Sequence, residues 1–181
     1  MAMAMGAPPA GSVQERKGAV TFKGGPLTLL GSQLKVGDRA PEFQVTGQDL
    51  SPVTLGTFKG KALLISVVPS VDTPVCDAQT RRFNQEAAAL PWLSILTISM
   101  DLPFAQKRWC GAAGVDRVRL LSDYKDASFG AAWGVLIKEL RLLSRAVFLA
   151  DAGGTFRYVE YVPEMTAHPN YDAALSAARS L

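Results

Sequence analysis

Apolar residues recur along the chain in short runs that are separated by turn residues. The run at 62–68 is rich in β-branched residues and ends at a proline, which is typical of a buried strand, and the run at 92–99 has the same character. Between them, apolar positions at roughly helical spacing predict a helix from Thr73 to about Leu90. A strand, a helix and a strand in this order predict a parallel βαβ unit with a right-handed crossover.

Glycine-containing turns mark two hairpins at opposite ends of the chain. Residues 19–30 form two β-rich runs around Gly24-Gly25, which predicts an N-terminal hairpin. Residues 145–161 form two further runs around a four-residue turn, and the alternation in the second run indicates an edge strand. After this hairpin, Asn170 is expected to cap a C-terminal helix that ends near Arg179.

The middle of the chain is predicted less completely. A second long helix begins near Asp101 and is expected to stop at Gly111 or Gly114, since glycine favours the left-handed conformation after a helix. A short strand and a short helix at 126–133 follow, and residues 134–143 stay unassigned. Without its N-terminal hairpin, the chain has the order β-α-β-α-β-α-β-β-α, which predicts a thioredoxin-like α/β fold. We expect a central mixed sheet that is flanked by helices and preceded by a β-hairpin.

Size and composition favour one domain with an ordinary core. Of the 181 residues, 1–17 are expected to be a disordered leader and 18–181 the folded domain. The net charge of +3 is small and the basic residues are scattered, so we expect no nucleic-acid partner. No apolar run approaches the ~20 residues of a membrane span, and residues 1–11 lack the features of a secretory signal. These observations favour the cytoplasm.

Cys76 is the strongest candidate for chemistry. Thr73 has the side chain of a helix N-cap and Pro74 suits the first helical position, so Cys76 takes the third. Backbone N–H groups without helical partners surround that position at the positive end of the dipole, which favours a thiolate. The alternative is a small core cysteine, which is the commoner fate of the residue type. The cap and the position after a strand argue against deep burial, so we expect a reactive thiol.

The chain holds one histidine, His168, which excludes a Cys-His or Ser-His-Asp site with a histidine base elsewhere in the chain. His168 also has no partner at metal-ligand spacing, so neither a metal nor a cofactor is expected. Arg145, at the start of a strand, is the candidate cation beside Cys76 because a guanidinium is always charged. A surface salt-bridge arginine is the alternative. A thiolate without a base suits attack on a peroxide oxygen, which needs no proton removed from the nucleophile.

Cys110 lies thirty-four positions after Cys76, on the next long helix. A disulfide between them requires Cα atoms within ~7 Å, so local fraying of one or both helices is expected if the bond forms. Closing a loop of that length constrains the unfolded chain by roughly 3–4 kcal/mol in the entropy model. This is similar to the cost of unwinding a turn or two of helix, which favours a reversible switch. The alternative is a packed small hydrophobic residue beside Trp109.

The segment Pro69-x-x-x-Thr73-x-x-Cys76 resembles the active-site motif of the peroxiredoxins. The run 99–106 and Cys110-Gly111 are similar to the thiol peroxidase branch, the atypical two-cysteine peroxiredoxins. The resemblance extends over about 18–181 and includes the N-terminal hairpin.

This resemblance implies a role for each site residue. Cys76 would be the peroxidatic cysteine and Cys110 the resolving cysteine of the same chain. Thr73 would hydrogen-bond the thiolate and the peroxide, Pro69 would shield the pocket, and Arg145 would stabilise the thiolate and the transition state. The resemblance further implies hydrogen peroxide and organic hydroperoxides as substrates, thioredoxin as the reductant, a homodimer and a cytoplasmic location.

Two other functions remain as alternatives. A one-cysteine peroxidase would use Cys76 alone and keep Cys110 as a structural residue. A non-catalytic thioredoxin-like module would be expected to lack the combination of cap, cysteine and arginine that this chain carries.

Overall fold

The computed structural model describes residues 13–181, and this part of the chain forms two sheets and four α-helices. The larger sheet contains β3 (Gln44–Thr46), β4 (Pro52–Thr54), β5 (Ala62–Val67), β6 (Leu93–Ser99), β7 (Arg119–Ser122), β9 (Ala146–Ala150) and β10 (Phe156–Tyr161). The smaller sheet contains β1 (Glu15–Phe22), β2 (Gly25–Leu30) and β8 (Leu136–Ile137). The helices are α1 (Pro74–Ala87), α2 (Pro103–Ala113), α3 (Ser128–Ala132) and α4 (Tyr171–Arg179).

The larger sheet is mixed, with the strand order β10-β9-β5-β6-β7-β3-β4. Strand β5 pairs in parallel with β6, from Ala62 opposite Leu93 to Val67 opposite Ile98. Helix α1 connects these two strands, which confirms the predicted βαβ unit. Strand β9 pairs antiparallel with β5 on the other side, and β10 lies at the sheet edge as predicted. The thioredoxin-like fold with a central mixed sheet is therefore confirmed.

The N-terminal hairpin forms as predicted, with β1 paired to β2. Its turn places Lys23 and Gly24 at positive φ, the backbone conformation that a two-residue hairpin loop favours. Strand β1 begins at Glu15, so the last three residues of the predicted leader already belong to the strand that pairs with β2, while residues 1–12 lie outside the described part of the chain. Strand β8, in the segment 134–143 that the sequence left unassigned, extends this sheet by pairing with β2.

The bounds of the two cysteine-bearing helices agree in part with the predicted ones. Helix α1 begins after Thr73 with Pro74 at its first position, as predicted, but ends at Ala87 rather than near Leu90. Helix α2 ends at Ala113, and Gly114 after it takes the left-handed conformation with φ 68°. One of the two predicted stops is thereby confirmed.

Separate hydrophobic clusters cover the two faces of the larger sheet. One contains interlocking aromatic rings, with Trp133 within 5.0 Å of both Phe148 and Phe156 between ring centroids. The other lies under α1, α2 and α4 and contains Cys76, Phe83, Trp109 and Leu175. The cysteine-bearing face of the sheet is thus the one that these three helices cover.

No helix among residues 13–181 combines the length and the apolar character that crossing a membrane requires.

Candidate active site

Cys76 lies in the first turn of α1, just past the carboxyl end of β5. Its side chain is fully buried and belongs to the cluster that contains Val68, Val71 and Phe83. The expectation that Cys76 avoids deep burial is therefore wrong. The third helical position directs its side chain onto the same buried face as Gln79, three residues later, so the thiol faces the sheet rather than the solvent.

Thr73 takes the N-cap position of α1, but its side chain does not cap the helix. The hydroxyl donates instead to the backbone carbonyl of Ser70 at 3.2 Å, and the Thr73 amide donates to the same carbonyl at 3.3 Å. These bonds close a tight turn between β5 and α1. The predicted hydrogen bond from Thr73 to the Cys76 thiolate therefore requires the hydroxyl to leave Ser70.

Asp101, just after β6, stabilises this turn by hydrogen bonds. Its carboxylate accepts from the Ser70 hydroxyl at 2.7 Å and from the Val71 amide at 2.9 Å. It also accepts from the hydroxyl of Ser99 at 2.7 Å, and its own carbonyl accepts from the hydroxyl of Ser122. One carboxylate thus connects the turn at 70–73, the predicted active-site turn, to the carboxyl end of β6.

Arg145 is almost fully buried, at 2% exposure, immediately before β9. Nη1 donates to the side-chain oxygen of Gln79 at 3.0 Å, and Nη2 donates to the carbonyl of Met165 at 2.8 Å. None of the ion pairs within residues 13–181 includes Arg145, which contradicts the alternative of a surface salt bridge. A buried guanidinium held by neutral oxygens favours an anion nearby, since burying an uncompensated charge is costly.

An apolar cavity of about 300 Å³ connects three of the predicted site residues. Pro69, Thr73 and Arg145 line it, together with residues of the N-terminal hairpin and of the loop before α4. The complete lining is Phe22, Pro69, Thr73, Pro74, Val75, Arg145, Met165 and Thr166. Cys76 is not part of this wall, and its sulfur lies in the core behind the first turn of α1.

Tyr171, at the start of α4, interacts electrostatically with Arg145 and Cys76. Burial raises the pKa of its hydroxyl, the positive charges of Arg145 and Arg82 lower it, and a negative charge on Cys76 raises it further. The ring packs against Phe83 at 5.7 Å between centroids, with the rings nearly perpendicular. The Tyr171 hydroxyl lies 2.8 Å from Nδ1 of His168.

The structure does not bring Cys110 into this site. Both cysteines are free thiols, and the Cys110 sulfur accepts a hydrogen bond from the side-chain amide of Gln48, in the turn after β3, at 3.6 Å. Burial raises the pKa of the Cys110 thiol, and the hydrogen bond from Gln48 opposes that rise. Cys110 faces a second cavity of about 420 Å³, whose lining residues differ from those of the cavity beside Thr73.

Sequence reasoning missed two residues that organise the site, Gln79 and Asp101. Gln79 is fully buried on the same helix face as Cys76, donates to Ser66 at 2.7 Å and accepts from Arg145. A glutamine at a position that the helical period assigns to the core was the available signal. For Asp101, the signal was a carboxylate directly after a buried strand, among serines that can donate to it.

The site places a cysteine in the first turn of a helix on a thioredoxin-like fold, and a buried arginine hydrogen-bonds to the same helix face one turn later. These features are typical of a class of thiol-redox proteins. Residues 35–175 match the Redoxin family. The chain is 60% identical to the thiol peroxidase of Halalkalibacterium halodurans over 162 residues, which cover 90% of this chain and 98% of that protein. It is 59% identical to the thiol peroxidase of Bacillus subtilis, with 90% of this chain and 97% of that protein covered.

Solved structures agree with these relatives. A peroxiredoxin-like protein from Aquifex aeolicus superposes with a TM-score of 0.84 at 41% identity, covering 94% of this chain and 99% of the other. Thiol peroxidase from Chromobacterium violaceum superposes with a TM-score of 0.81 at 24% identity, covering 89% and 95%, which supports the fold alone. The chain belongs to the Redoxin family and, within it, to the thiol peroxidase branch of the peroxiredoxins.

Proposed function

We propose that the chain is a thiol-dependent peroxidase in which Cys76 reduces hydroperoxides and Cys110 resolves the oxidised product. The observation that carries the proposal is the position of Cys76 in the first turn of α1, with buried Arg145 hydrogen-bonded one helical turn further along the same helix face. The relatives that are named thiol peroxidase, at about 60% identity over nearly their whole length, support it.

The reaction needs no general base. The Cys76 thiolate attacks the distal peroxide oxygen, the O–O bond breaks, and the alkoxide or hydroxide leaves with a proton as alcohol or water. The sulfenic acid on Cys76 then condenses with the thiol of Cys110, so that an S–S bond forms and water leaves. An external dithiol reduces the disulfide and is itself oxidised. Arg145 contributes by stabilising the thiolate and the negative charge that develops on the departing oxygen.

The cavity beside Thr73 favours organic hydroperoxides alongside hydrogen peroxide. Its wall is mainly apolar, from Phe22, Pro69 and Met165, and its volume of about 300 Å³ leaves room for a small apolar group. Pro69 shields one side, and Thr73 is one of two threonines in the wall. Rotation of the Thr73 hydroxyl away from Ser70 would allow it to donate to the peroxide or to the thiolate.

Disulfide formation requires rearrangement in this proposal. Cys76 is buried behind the first turn of α1, and Cys110 faces Gln48 in a separate cavity. Partial unwinding of α1, α2 or both would bring the sulfurs together. The contacts of Asp101 with Ser70 and Val71 are among those that unwinding of the active-site turn breaks.

We further propose a thioredoxin-type dithiol protein as the reductant, a homodimer as the assembly and the cytoplasm as the location. These proposals rest on the membership of the family branch. A one-cysteine peroxidase would form a sulfenic acid on Cys76 and no Cys76–Cys110 disulfide. A non-catalytic module would consume no peroxide.

The test is the intact mass of the reduced protein after one equivalent of cumene hydroperoxide, measured without reductant. Loss of two hydrogen atoms from a monomer is the expected result. A stable gain of one oxygen atom would support the one-cysteine alternative, and an unchanged mass would contradict peroxidase activity. Cys76→Ser, as the control, should leave the peroxide unconsumed.

A further inference from the structure

The side chain of Gln48 is the hydrogen-bond partner of Cys110. Its amide nitrogen lies 3.6 Å from the Cys110 sulfur, a normal separation for an N–H···S contact, across 62 positions of sequence. Both side chains are half-buried. The contact therefore joins the turn between β3 and β4 to the last turns of α2.

The turn that carries Gln48 is fixed by its own hydrogen bonds. The Gly47 amide donates to the Ser51 carbonyl at 2.9 Å, and the Leu50 amide donates to the Gly47 carbonyl at 2.9 Å. The Asp49 carboxylate accepts from the Ser51 amide at 3.1 Å and from its hydroxyl at 2.6 Å. Four bonds within five residues hold the backbone on either side of Gln48, so its amide reaches the sulfur from a defined position.

We propose that Gln48 is a positioning residue for Cys110: its side-chain amide holds the sulfur at the cavity between the β3–β4 turn and α2, and stabilises its thiolate. An amide N–H donates more strongly to an anionic sulfur than to a neutral one. This contact therefore favours the form of Cys110 that attacks other sulfurs. The mechanistic consequence rests on the proposed function, whereas the contact itself does not.

The cavity beside Cys110 also has charged residues in its lining. Two carboxylates and two guanidinium groups line it, from Asp49, Asp116, Arg117 and Arg119. None of these four groups makes the hydrogen bond that Gln48 makes with the Cys110 sulfur. Burial raises the pKa of the Cys110 thiol and the Gln48 hydrogen bond lowers it. Removing the amide leaves the effect of burial unopposed.

The contact affects the resolving step in a defined way. The Cys110 thiolate attacks the sulfenic sulfur of Cys76, the S–S bond forms, and hydroxide leaves and takes up a proton to become water. A larger thiolate fraction at Cys110 raises the rate of this step. If α1 unwinds and Cys110 stays at Gln48, loss of the amide should slow disulfide formation without slowing the first attack on the peroxide.

The experiment compares Gln48→Met and Gln48→Glu in a Cys76→Ser background, where Cys110 is the one remaining thiol. The readout is the rate of alkylation by iodoacetamide as a function of pH. Gln48→Met keeps the shape and loses the donor, so alkylation near neutral pH should slow about threefold, the size expected for one hydrogen bond. Gln48→Glu should move the profile further to high pH, because its carboxylate repels the thiolate.

Gln44→Met is the matched control. Gln44 is exposed in β3, and its side chain forms no hydrogen bond with Cys110. Its profile should coincide with that of the Cys76→Ser parent. Coincident profiles for Gln48→Met and the parent would overturn the proposal.

A second measurement follows disulfide formation after peroxide addition in chains that retain Cys76. Slower formation in Gln48→Met than in Gln44→Met is expected, and equal rates would contradict the mechanistic consequence. If no chain forms a disulfide, the two-cysteine mechanism fails, while the alkylation profiles still decide the role of Gln48.

Discussion

The side-chain oxygen of Gln79 accepts a hydrogen bond of 3.0 Å from Nη1 of Arg145, one helical turn after Cys76. This bond connects Arg145, just before β9, to α1, the helix that carries Cys76. The side-chain amide of Gln79 also donates to the Ser66 hydroxyl of β5 at 2.7 Å, so both its nitrogen and its oxygen form hydrogen bonds. A neutral acceptor at this point leaves the positive charge of Arg145 available to an anion.

Replacing Gln79 by Glu tests whether that charge matters. The carboxylate keeps an acceptor for Arg145 but neutralises the guanidinium, so reaction of Cys76 with peroxide should slow about tenfold, equivalent to about 1.4 kcal/mol of activation free energy. Stopped-flow measurement of peroxide consumption gives the rate. Gln79→Leu is the comparison: it removes the hydrogen bonds of Gln79 to Arg145 and to Ser66 and should lower the unfolding free energy by about 1–3 kcal/mol. A Gln79→Glu chain with unaltered rate would contradict the electrostatic role of Arg145.

Asp101→Asn should weaken the active-site turn. The carboxylate accepts three hydrogen bonds, from Ser70, Val71 and Ser99, and an amide offers one oxygen in place of two. We expect a loss of about 1–3 kcal/mol in the free energy of urea unfolding and faster hydrogen exchange in the turn.

Asp72→Asn provides the control for that change, because Asp72 is an exposed carboxylate of the same turn. Its substitution should alter stability by no more than about 0.5 kcal/mol. Equal losses in the two variants would show that the effect comes from net charge and not from the hydrogen bonds of Asp101.

Cys110→Ser should separate the two halves of the reaction. The variant keeps Cys76, Thr73 and Arg145, so one equivalent of peroxide should still be consumed at close to the normal rate. Without a resolving thiol, sustained turnover with a thioredoxin-type dithiol should fall by at least about tenfold, because the sulfenic acid persists and oxidises further. Steady-state peroxide consumption that matches the parent would refute the resolving role of Cys110.

The sequence predicted those features that depend on local pattern. The βαβ unit followed from two β-branched runs and a helical period, and the position of Cys76 followed from Thr73 and Pro74. What the sequence did not predict depends on tertiary packing. Cys76 is buried because the third helical position faces the sheet. The hydrogen-bond partners of Arg145 are Gln79, which lies 66 positions earlier, and Met165, which lies 20 positions later. Long-range contacts of that kind leave no periodic signal in one sequence.

Asp123 provides a test of pH dependence away from the cysteines. Its carboxylate is buried and accepts from the amides of Phe129 and Gly130 at 3.1 and 2.8 Å, at the start of α3. Burial raises its pKa from the ordinary 3.8 to about 6, although the two amide hydrogen bonds oppose this rise. Because the folded state binds this proton more tightly, the group stabilises the fold fully below the unfolded pKa. That contribution is lost as pH rises through about 6.

Asp123→Asn cannot titrate, so the parent should lose stability relative to this variant as pH rises from about 4 to about 7. The loss should be on the order of 2–3 kcal/mol. Urea unfolding of both chains at several pH values in this interval measures the difference, and carboxylates with lowered pKa, such as Asp49 and Asp151, cancel because both chains carry them. A change in hydrogen bonding alone would give a difference that is independent of pH. A difference in unfolding free energy that stays constant with pH would therefore contradict the raised pKa of Asp123. Its carboxylate would then act only through its hydrogen bonds to α3.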